Sequence, residues 1–344
     1  GTPGATQEAV ENEIISREAC LENHPVLVKH MSTADTADDL EDIRIALGEG
    51  DISFLGLSYG TAVGATYATL YPGSVRAMVL DSPMMPGVDD VALYEEQLAS
   101  IEALYSEFVQ SCDADPTCPA AGNSAATVDR VREGLVSAPL DVETDDGTRV
   151  LTRDLFDAGL ITALYDPSLW GSMWGVIAEM ERGGPGNLPL ILADQQLGRL
   201  PDGSWDNSRD AMGMVLCADS VQRSTTEEAL DRGSKIAESG GVFSYGALTQ
   251  PLGCHAWPIA ANPVPEWTAE GAPGTLVIGT VSDPATPYQW AVEMDEALAD
   301  STLVTRQGKG HLAFLRGNDC IDKSVVDYLL SVALPEEEQT CPAV

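Results

Sequence analysis

Residues 51–61, DISFLGLSYGT, restrict what this chain can fold into more than any other stretch. Asp51 to Leu57 (DISFLGL) reads as a short strand, and Tyr59 to Leu70 (YGTAVGATYATL) as a helix of small residues that can pack closely on its neighbours. The two are joined by a sharp turn. In such a Gly-x-Ser-x-Gly elbow the serine occupies a strained backbone position, so Gly56 and Gly60 must be small enough for strand and helix to approach each other. Ser58 then projects from the top of the sheet. The same turn aims the backbone N–H of Tyr59 at the place where an oxyanion would form. In a chain with 32 glycines the bare pattern carries little, and its context carries the weight. Ser244-Tyr245-Gly246 repeats the tripeptide, but has Val242 where the elbow needs its first glycine and no comparable strand before it.

A serine is a poor nucleophile without a base, so the elbow calls for a histidine and a carboxylate, in the chain order Ser, Asp or Glu, His. Of the four histidines, His24 and His30 precede Ser58, which leaves His255 and His311. His311 has the better setting. Ser301 to Arg306 (STLVTR) reads as a strand, and the loop Gln307-Gly308-Lys309-Gly310 can deliver an imidazole to the sheet edge. His255, in Cys254-His255-Ala256-Trp257-Pro258, reads as a structural position beside a disulfide cysteine. The carboxylate should follow the preceding strand, Gly274 to Thr280 (GTLVIGT), and Asp283 comes next in the loop VSDPATP, which its prolines restrict. Asp295 and Asp300 fall on a helix expected at Gln289 to Leu298 and at its end, where solvated or capping roles are expected. Order and local context together select Ser58, Asp283 and His311.

At 344 residues the chain can bury a sizeable core, as one enlarged α/β domain or as a core with a lid. No apolar run approaches the length needed to cross a bilayer. The opening Gly1-Thr2-Pro3-Gly4 is not a basic and apolar leader, so the sequence reads as a mature or trimmed product. The formal net charge is -36, with lysine only at Lys29, Lys235, Lys309 and Lys323, which would repel a phosphate backbone. Nucleic acid is therefore not an expected partner, and the acidity is read first as solubility or salt adaptation. A field of this sign could also draw in cationic substrates or peptide N-termini.

Seven cysteines bear on compartment. Cys112 and Cys118 bracket a short polar loop, Cys217 and Cys254 flank a helix-rich stretch, and Cys320 and Cys341 bracket the last helix, so three pairs would leave Cys20 alone. A zinc site is disfavoured, because no Cys-x-x-Cys occurs and His255 has no companion. Disulfides in an exported protein are the expectation, with connectivity open. No metal or organic cofactor is indicated.

Ser32 to Leu47 reads as the helix leading into the strand before Ser58, with Leu40, Ile43 and Leu47 at helical spacing and Gly48 as the stop. Val75 to Leu80 (VRAMVL) is the next strand, ending at Asp81-Ser82-Pro83. From about Gly87 to Trp267 regular alternation disappears and the text is mostly helical, with helices expected at Tyr94 to Val109, Ala126 to Leu135, Arg153 to Leu164, Met173 to Arg182 and Thr226 to Glu238. In the first of these Leu98, Ile101, Tyr105 and Phe108 share one face. This stretch separates two core strands, so an inserted lid is the natural reading. Three segments result: 1–86 and 268–344 as the two halves of the core, and 87–267 as a helical cap.

The residues quoted above, together with TADTADDLEDIRIALGEGDISFLGLSYGT (33–61), VLCAD (215–219), CHAWP (254–258), IGTVSDPATP (278–287), GKGH (308–311) and the cysteine-bracketed C-terminus, resemble the secreted actinobacterial tripeptidyl aminopeptidases of the α/β-hydrolase superfamily, related to proline iminopeptidases. The resemblance covers nearly the whole chain. It implies an α/β-hydrolase core with a large, mostly helical lid, a nucleophile, acid and base at Ser58, Asp283 and His311, and release of short peptides from a free N-terminus. It also implies the cysteine pairs Cys217 with Cys254 and Cys320 with Cys341. One departure stands out: a second oxyanion N–H should come from a loop upstream of the helix that begins near Ser32, and the upstream strands and that loop have no room here. Either an upstream segment of the same precursor exists as a separate piece or the chain is a fragment, and an unpaired Cys20 fits a partner there.

The expected chemistry is acyl transfer on a peptide substrate by a secreted serine exopeptidase, neither membrane-bound nor cofactor-dependent. A carboxylate must meet the substrate ammonium, and Asp219 is the candidate, with a surface or capping role as its alternative. An esterase or lactonase acting on a small apolar ester would carry the same triad, and a non-catalytic relative the same scaffold.

Overall fold

The computed structural model describes residues 3–85, 90–220, 225–244, 246, 254 and 264–344. It divides into two compact units, residues 1–100 with 212–344, and residues 101–211.

The first unit is built on a parallel sheet. α1 (Pro3–Asn23) is followed by α2 (Thr33–Leu47), β1 (Ile52–Leu57), α3 (Tyr59–Leu70) and β2 (Val75–Asp81). α2 starts where Ser32 accepts the Asp35 N–H and the Asp35 carboxylate accepts the Ser32 N–H, a reciprocal cap, and it stops at Gly48 in the left-handed region at φ 70°. α2 departs from its expected stripe: Ala34 and Ala37 are buried, whereas Ile43 and Leu47 are 55 % and 71 % exposed. The chain then enters α4 (Asp90–Ala114) and the second unit.

The second unit holds α5 (Ser124–Ser137), the hairpin β3 (Leu140–Thr144) and β4 (Gly147–Leu151), α6 (Arg153–Tyr165), α7 (Trp170–Glu181) and α8 (Asn187–Leu197). The stretch is mostly helical, as expected, and the hairpin is its unexpected element: Asp145-Asp146 turns it back with Gly147 at φ 116°. Phe108 stacks on Trp174 at 4.3 Å and meets Trp170 edge-on at 5.4 Å, which anchors the apolar face of α4 within this unit. Arg132 makes a bidentate pair with Asp157 at 2.7 and 2.9 Å.

The chain next runs through α9 (Ser208–Asp219) and α10 (Thr226–Glu238), then β5 (Thr275–Ser282), α11 (Tyr288–Ala297), β6 (Ser301–Lys309), α12 (Asp319–Ser331) and β7 (Gln339–Cys341). The five strands lie in the order β1-β2-β5-β6-β7, each parallel to its neighbour. Parallel central strands are covered on both faces, which is why VRAMVL and TLVIGT read as continuous apolar runs. Met78, Leu80, Val277 and Leu303 face α3 and α11, where Ala62, Ala65, Ala291 and Met294 meet them. Ala77, Val79, Leu276, Ile278 and Val304 face α12, against Ile321, Val325 and Tyr328. β1 differs: among the described residues it pairs only with β2, and Leu55 and Leu57 are 40 % and 41 % exposed.

Disulfides join Cys112 to Cys118, Cys217 to Cys254 and Cys320 to Cys341. Cys20 lies outside these three and packs in the cluster that contains Cys217 and Cys254. No helix among the described residues is long and apolar enough to cross a membrane.

Candidate active site

The elbow forms at the carboxyl end of β1. Ser58 has φ 54° and ψ -122°, a left-handed position that costs a non-glycine residue roughly 1–3 kcal/mol and persists only where the surroundings over-determine it. They do so here. The Ser58 N–H donates to Asp81 O at 3.0 Å, and the Ser58 carbonyl accepts the Thr61 N–H at 2.9 Å and the Thr61 hydroxyl at 2.5 Å. Thr61 Oγ1 in turn accepts the Met84 N–H at 2.9 Å. Tyr59 opens α3, whose first N–H groups have no acceptor within the helix and so suit an anion.

Of the two glycines expected to be required by the elbow, the structure bears out Gly56 and not Gly60. A Cβ on Gly56 would lie 2.5 Å from Gly60 O, so Gly56 must be glycine, whereas a Cβ on Gly60 would meet nothing within 4 Å. The second close approach comes a turn later, where a Cβ on Gly64 would lie 2.7 Å from Leu80 and 2.8 Å from Phe54. Gly56→Ala is expected to lose about 1–3 kcal/mol of stability by overpacking, while Gly60→Ala stays within about 0.5 kcal/mol, as read from urea midpoints.

Asp283 and His311 are brought together from the ends of β5 and β6. His311 Nδ1 lies 3.0 Å from each carboxylate oxygen of Asp283, and the imidazole is 10 % exposed. Asp283 is itself fixed, because its Oδ1 accepts the Ala285 N–H at 2.8 Å and the Thr286 N–H at 2.9 Å. The sequence Asp-Pro-Ala-Thr makes this turn, with the short side chain satisfying the backbone two and three residues on. A carboxylate only accepts, so the proton on this side of the ring belongs to Nδ1, and Nε2 keeps its lone pair.

The strand order places the three side chains along one edge of the sheet. Leu57, which precedes Ser58, is level with Asp81, Asp81 with Ile278, and Ser282, which precedes Asp283, with Lys309. Carboxyl ends of adjacent parallel strands form the crevice where open α/β sheets bind ligands. Three of the six non-glycine residues with positive φ among the described residues, Ser58, Ser82 and Leu312, cluster at this edge. Sequence reading passed over Thr61, Asp81 and Ser82; the one signal for them was a carboxylate closing an otherwise apolar strand, VRAMVLD.

Asp219 is 1 % exposed at the C-terminal end of α9. Its oxygens accept the Thr33 N–H at 2.7 Å and the Thr33 hydroxyl at 2.5 Å, and Thr33 Oγ1 is 2.8 Å from the Tyr59 hydroxyl. The carboxylate therefore sits on the N-terminus of α2, one hydrogen-bonded step from the residue that follows Ser58. Burial pushes its carboxyl up to about 6 against the opposing Thr33 bonds. The folded state then holds a proton that the unfolded chain, at about 3.9, has already lost, so this group's contribution is complete below about pH 4 and is lost as pH rises to about 6. The expected loss is about 3 kcal/mol between those limits, and Asp219→Asn should flatten it in urea titrations at successive pH values. Ser244 of the decoy tripeptide is 2 % exposed and donates to Gly241 O at 2.8 Å, a buried structural hydroxyl. His255 and Tyr245 lie outside the described residues. No cluster of three or more His, Cys, Asp or Glu side chains suited to a metal occurs among the described residues.

A parallel sheet wrapped by helices, with a strained serine elbow after β1 and an Asp–His pair after β5 and β6 on the same sheet edge, has the architecture of an α/β-hydrolase. Within that class the chain is a relative of the TAP-like proteins: residues 241–341, which include Asp283 and His311, match the TAP-like protein family. It is 33 % identical over 326 residues to the serine protease Hip1 of Mycobacterium tuberculosis, covering 91 % of this chain and 62 % of that one. Carboxylesterase B of the same organism is 32 % identical over 319 residues, with 91 % and 61 % covered. The tripeptidyl aminopeptidase of Streptomyces coelicolor is 28 % identical over 348 residues, with 98 % and 63 % covered. The chain thus spans 61–63 % of the length of these relatives.

Proposed function

We propose that this protein is a secreted serine hydrolase that releases short peptides, tripeptides in the first instance, from the free N-terminus of a peptide through an acyl-enzyme on Ser58. The observation that carries the reading is the buried Asp283 carboxylate held on His311 Nδ1 at the sheet edge that also bears the Ser58 elbow. His311 Nε2 takes the Ser58 hydroxyl proton as Oγ attacks the scissile carbonyl. Asp283 keeps the imidazole in the required tautomer and stabilises the imidazolium, and the Tyr59 N–H donates to the oxyanion. The imidazolium returns its proton to the leaving amine, and water, activated by the same imidazole, then releases the peptide acid. No step calls for a metal or organic cofactor.

Export is supported by three disulfides, which persist in oxidising compartments. An upstream segment of the same precursor as partner is supported by β1, whose second edge is unpaired among the described residues while Leu55 and Leu57 stand exposed on it. For the substrate ammonium, Asp219 is the carboxylate nominated by the sequence, and in that role it would exchange its Thr33 bonds for the ammonium. Loss of preference for free over blocked termini in Asp219→Asn supports that assignment, and an unchanged preference removes it.

The reading is tested with a tripeptide anilide bearing a free amine, its N-acetylated twin and a short-chain aryl ester. Cleavage of the free-amine anilide well above the acetylated one is the expected result. Ester cleavage alone transfers the protein to the esterases, a reading favoured by its 32 % identity to a carboxylesterase. Silence on all three, in folded protein, points to a non-catalytic relative.

A further inference from the structure

Asp81 is a buried ionisable residue that acyl transfer leaves without a task. It ends β2 with no exposed surface. Its backbone carbonyl accepts the Ser58 N–H at 3.0 Å. Its carboxylate accepts two N–H groups of the segment that follows His311: Ala313 at 3.0 and 3.2 Å to the two oxygens, and Phe314 at 2.8 Å. One residue therefore bonds to the nucleophile's backbone on one side and to the histidine's loop on the other.

Its neighbour completes the grip. Ser82 Oγ accepts the Leu312 N–H at 3.1 Å and donates to Asp81 Oδ1 at 3.3 Å, while Arg306 Nη1 donates to Leu312 O at 3.0 Å. Leu312, directly after His311, has φ 70°, and Ser82 has φ 57°. A leucine does not hold the left-handed region unaided, so the direction in which the chain leaves His311 is set by these bonds. The Gly310 N–H donates to Ser282 O at 3.0 Å and fixes the other flank.

We propose that Asp81 is a positioning residue for this site: it ties residues 312–314 to the Ser58 elbow and so sets where the His311 imidazole stands relative to Ser58 Oγ. The inference rests on the acyl-transfer reading above. Asp81 touches neither substrate nor reacting atoms. Burial, with Asp283 nearby, pushes its carboxyl up, whereas the Phe314 and Ala313 N–H groups and His311 oppose this. An asparagine can do the same work, because one amide oxygen accepts both backbone N–H groups while the NH2 donates to Ser82 Oγ.

The test compares Asp81→Ala with Asp81→Asn in the whole protein. Displacement of a catalytic group by about 1 Å costs on the order of 10²-fold. Asp81→Ala should therefore lower kcat on the free-amine anilide about 10²-fold with KM within about threefold, and should move or broaden the imidazole Nδ1 proton resonance of His311. Asp81→Asn should keep both readouts close to those of the unmodified protein. A folded Asp81→Ala with unchanged kcat and unchanged resonance overturns the proposal, as does an equal kcat loss in both variants. If Asp81→Ala does not fold, Ser82→Ala removes the bonds of the Ser82 hydroxyl to the Leu312 N–H and to Asp81 Oδ1, and an intact kcat and resonance there count against it equally. Should the unmodified protein turn over nothing, the acyl-transfer reading fails, and the resonance still decides whether Asp81 places the imidazole.

Discussion

Ser58→Ala is expected to abolish the acylation burst and to lower turnover by about 10⁶-fold. The estimate follows from what remains when the hydroxyl is gone. The Asp283–His311 pair and the Tyr59 N–H stay in place, but no covalent intermediate can form, and only the binding and oxyanion contributions survive, a residual acceleration of about 10³–10⁴ over water. The left-handed backbone at residue 58 is held by Asp81 O, Thr61 N–H and the Thr61 hydroxyl, none of which involves Ser58 Oγ. The variant should therefore fold as the unmodified protein does. Rapid-mixing kinetics on an aryl ester separate burst from steady state, and near-normal turnover would take Ser58 out of the mechanism.

Asp283→Asn carries the second largest effect, a loss of about 10⁴ in turnover. The geometry says why so small a change should cost so much. Asp283 Oδ1 accepts the Ala285 and Thr286 N–H groups, so an asparagine would place its carbonyl there and turn its NH2 toward His311 Nδ1. Nδ1 would then have to accept, the proton would move to Nε2, and the ring could not take the Ser58 proton. Binding contacts are untouched, so kcat should fall with KM nearly constant. A variant with kcat within tenfold would show that another group orients His311.

Much of this site was legible because each member follows a strand with a distinct signature. DISFLGL, GTLVIGT and STLVTR are short, largely apolar runs, and β1, β5 and β6 occupy them with boundary shifts of at most three residues. Chain order then left Asp283 and His311 as the residues placed to follow the last two, and the structure joins them at 3.0 Å. Local turn chemistry was legible in Ser32 and Gly48, which cap α2 as their types suggest.

What escaped depended on neighbours that sequence does not name. Gly60 satisfied the elbow pattern, but the tight approach is at Gly64, since helix direction, not the motif, decides which Cβ meets Leu80 and Phe54. The β3–β4 hairpin was passed over inside helical text. LDVET and GTRVL are short and half polar, although Asp145-Asp146-Gly147 carried a turn signal. Asp81 read as a strand end because its partners, the N–H groups of Ala313 and Phe314, lie 232 and 233 residues away. The Ile43 and Leu47 positions of α2 have the spacing of a buried face and are exposed, as are Leu55 and Leu57 of β1. Spacing marks a face that can be buried and does not say what covers it.

The most direct test of the account is covalent: the folded protein is treated with a fluorophosphonate and the modified residue located by peptide mass spectrometry, with His311→Ala alongside. The account predicts one adduct, on Ser58, formed far more slowly in His311→Ala. A folded protein that stays unmodified, or that carries its adduct elsewhere with Ser58 intact, would contradict it.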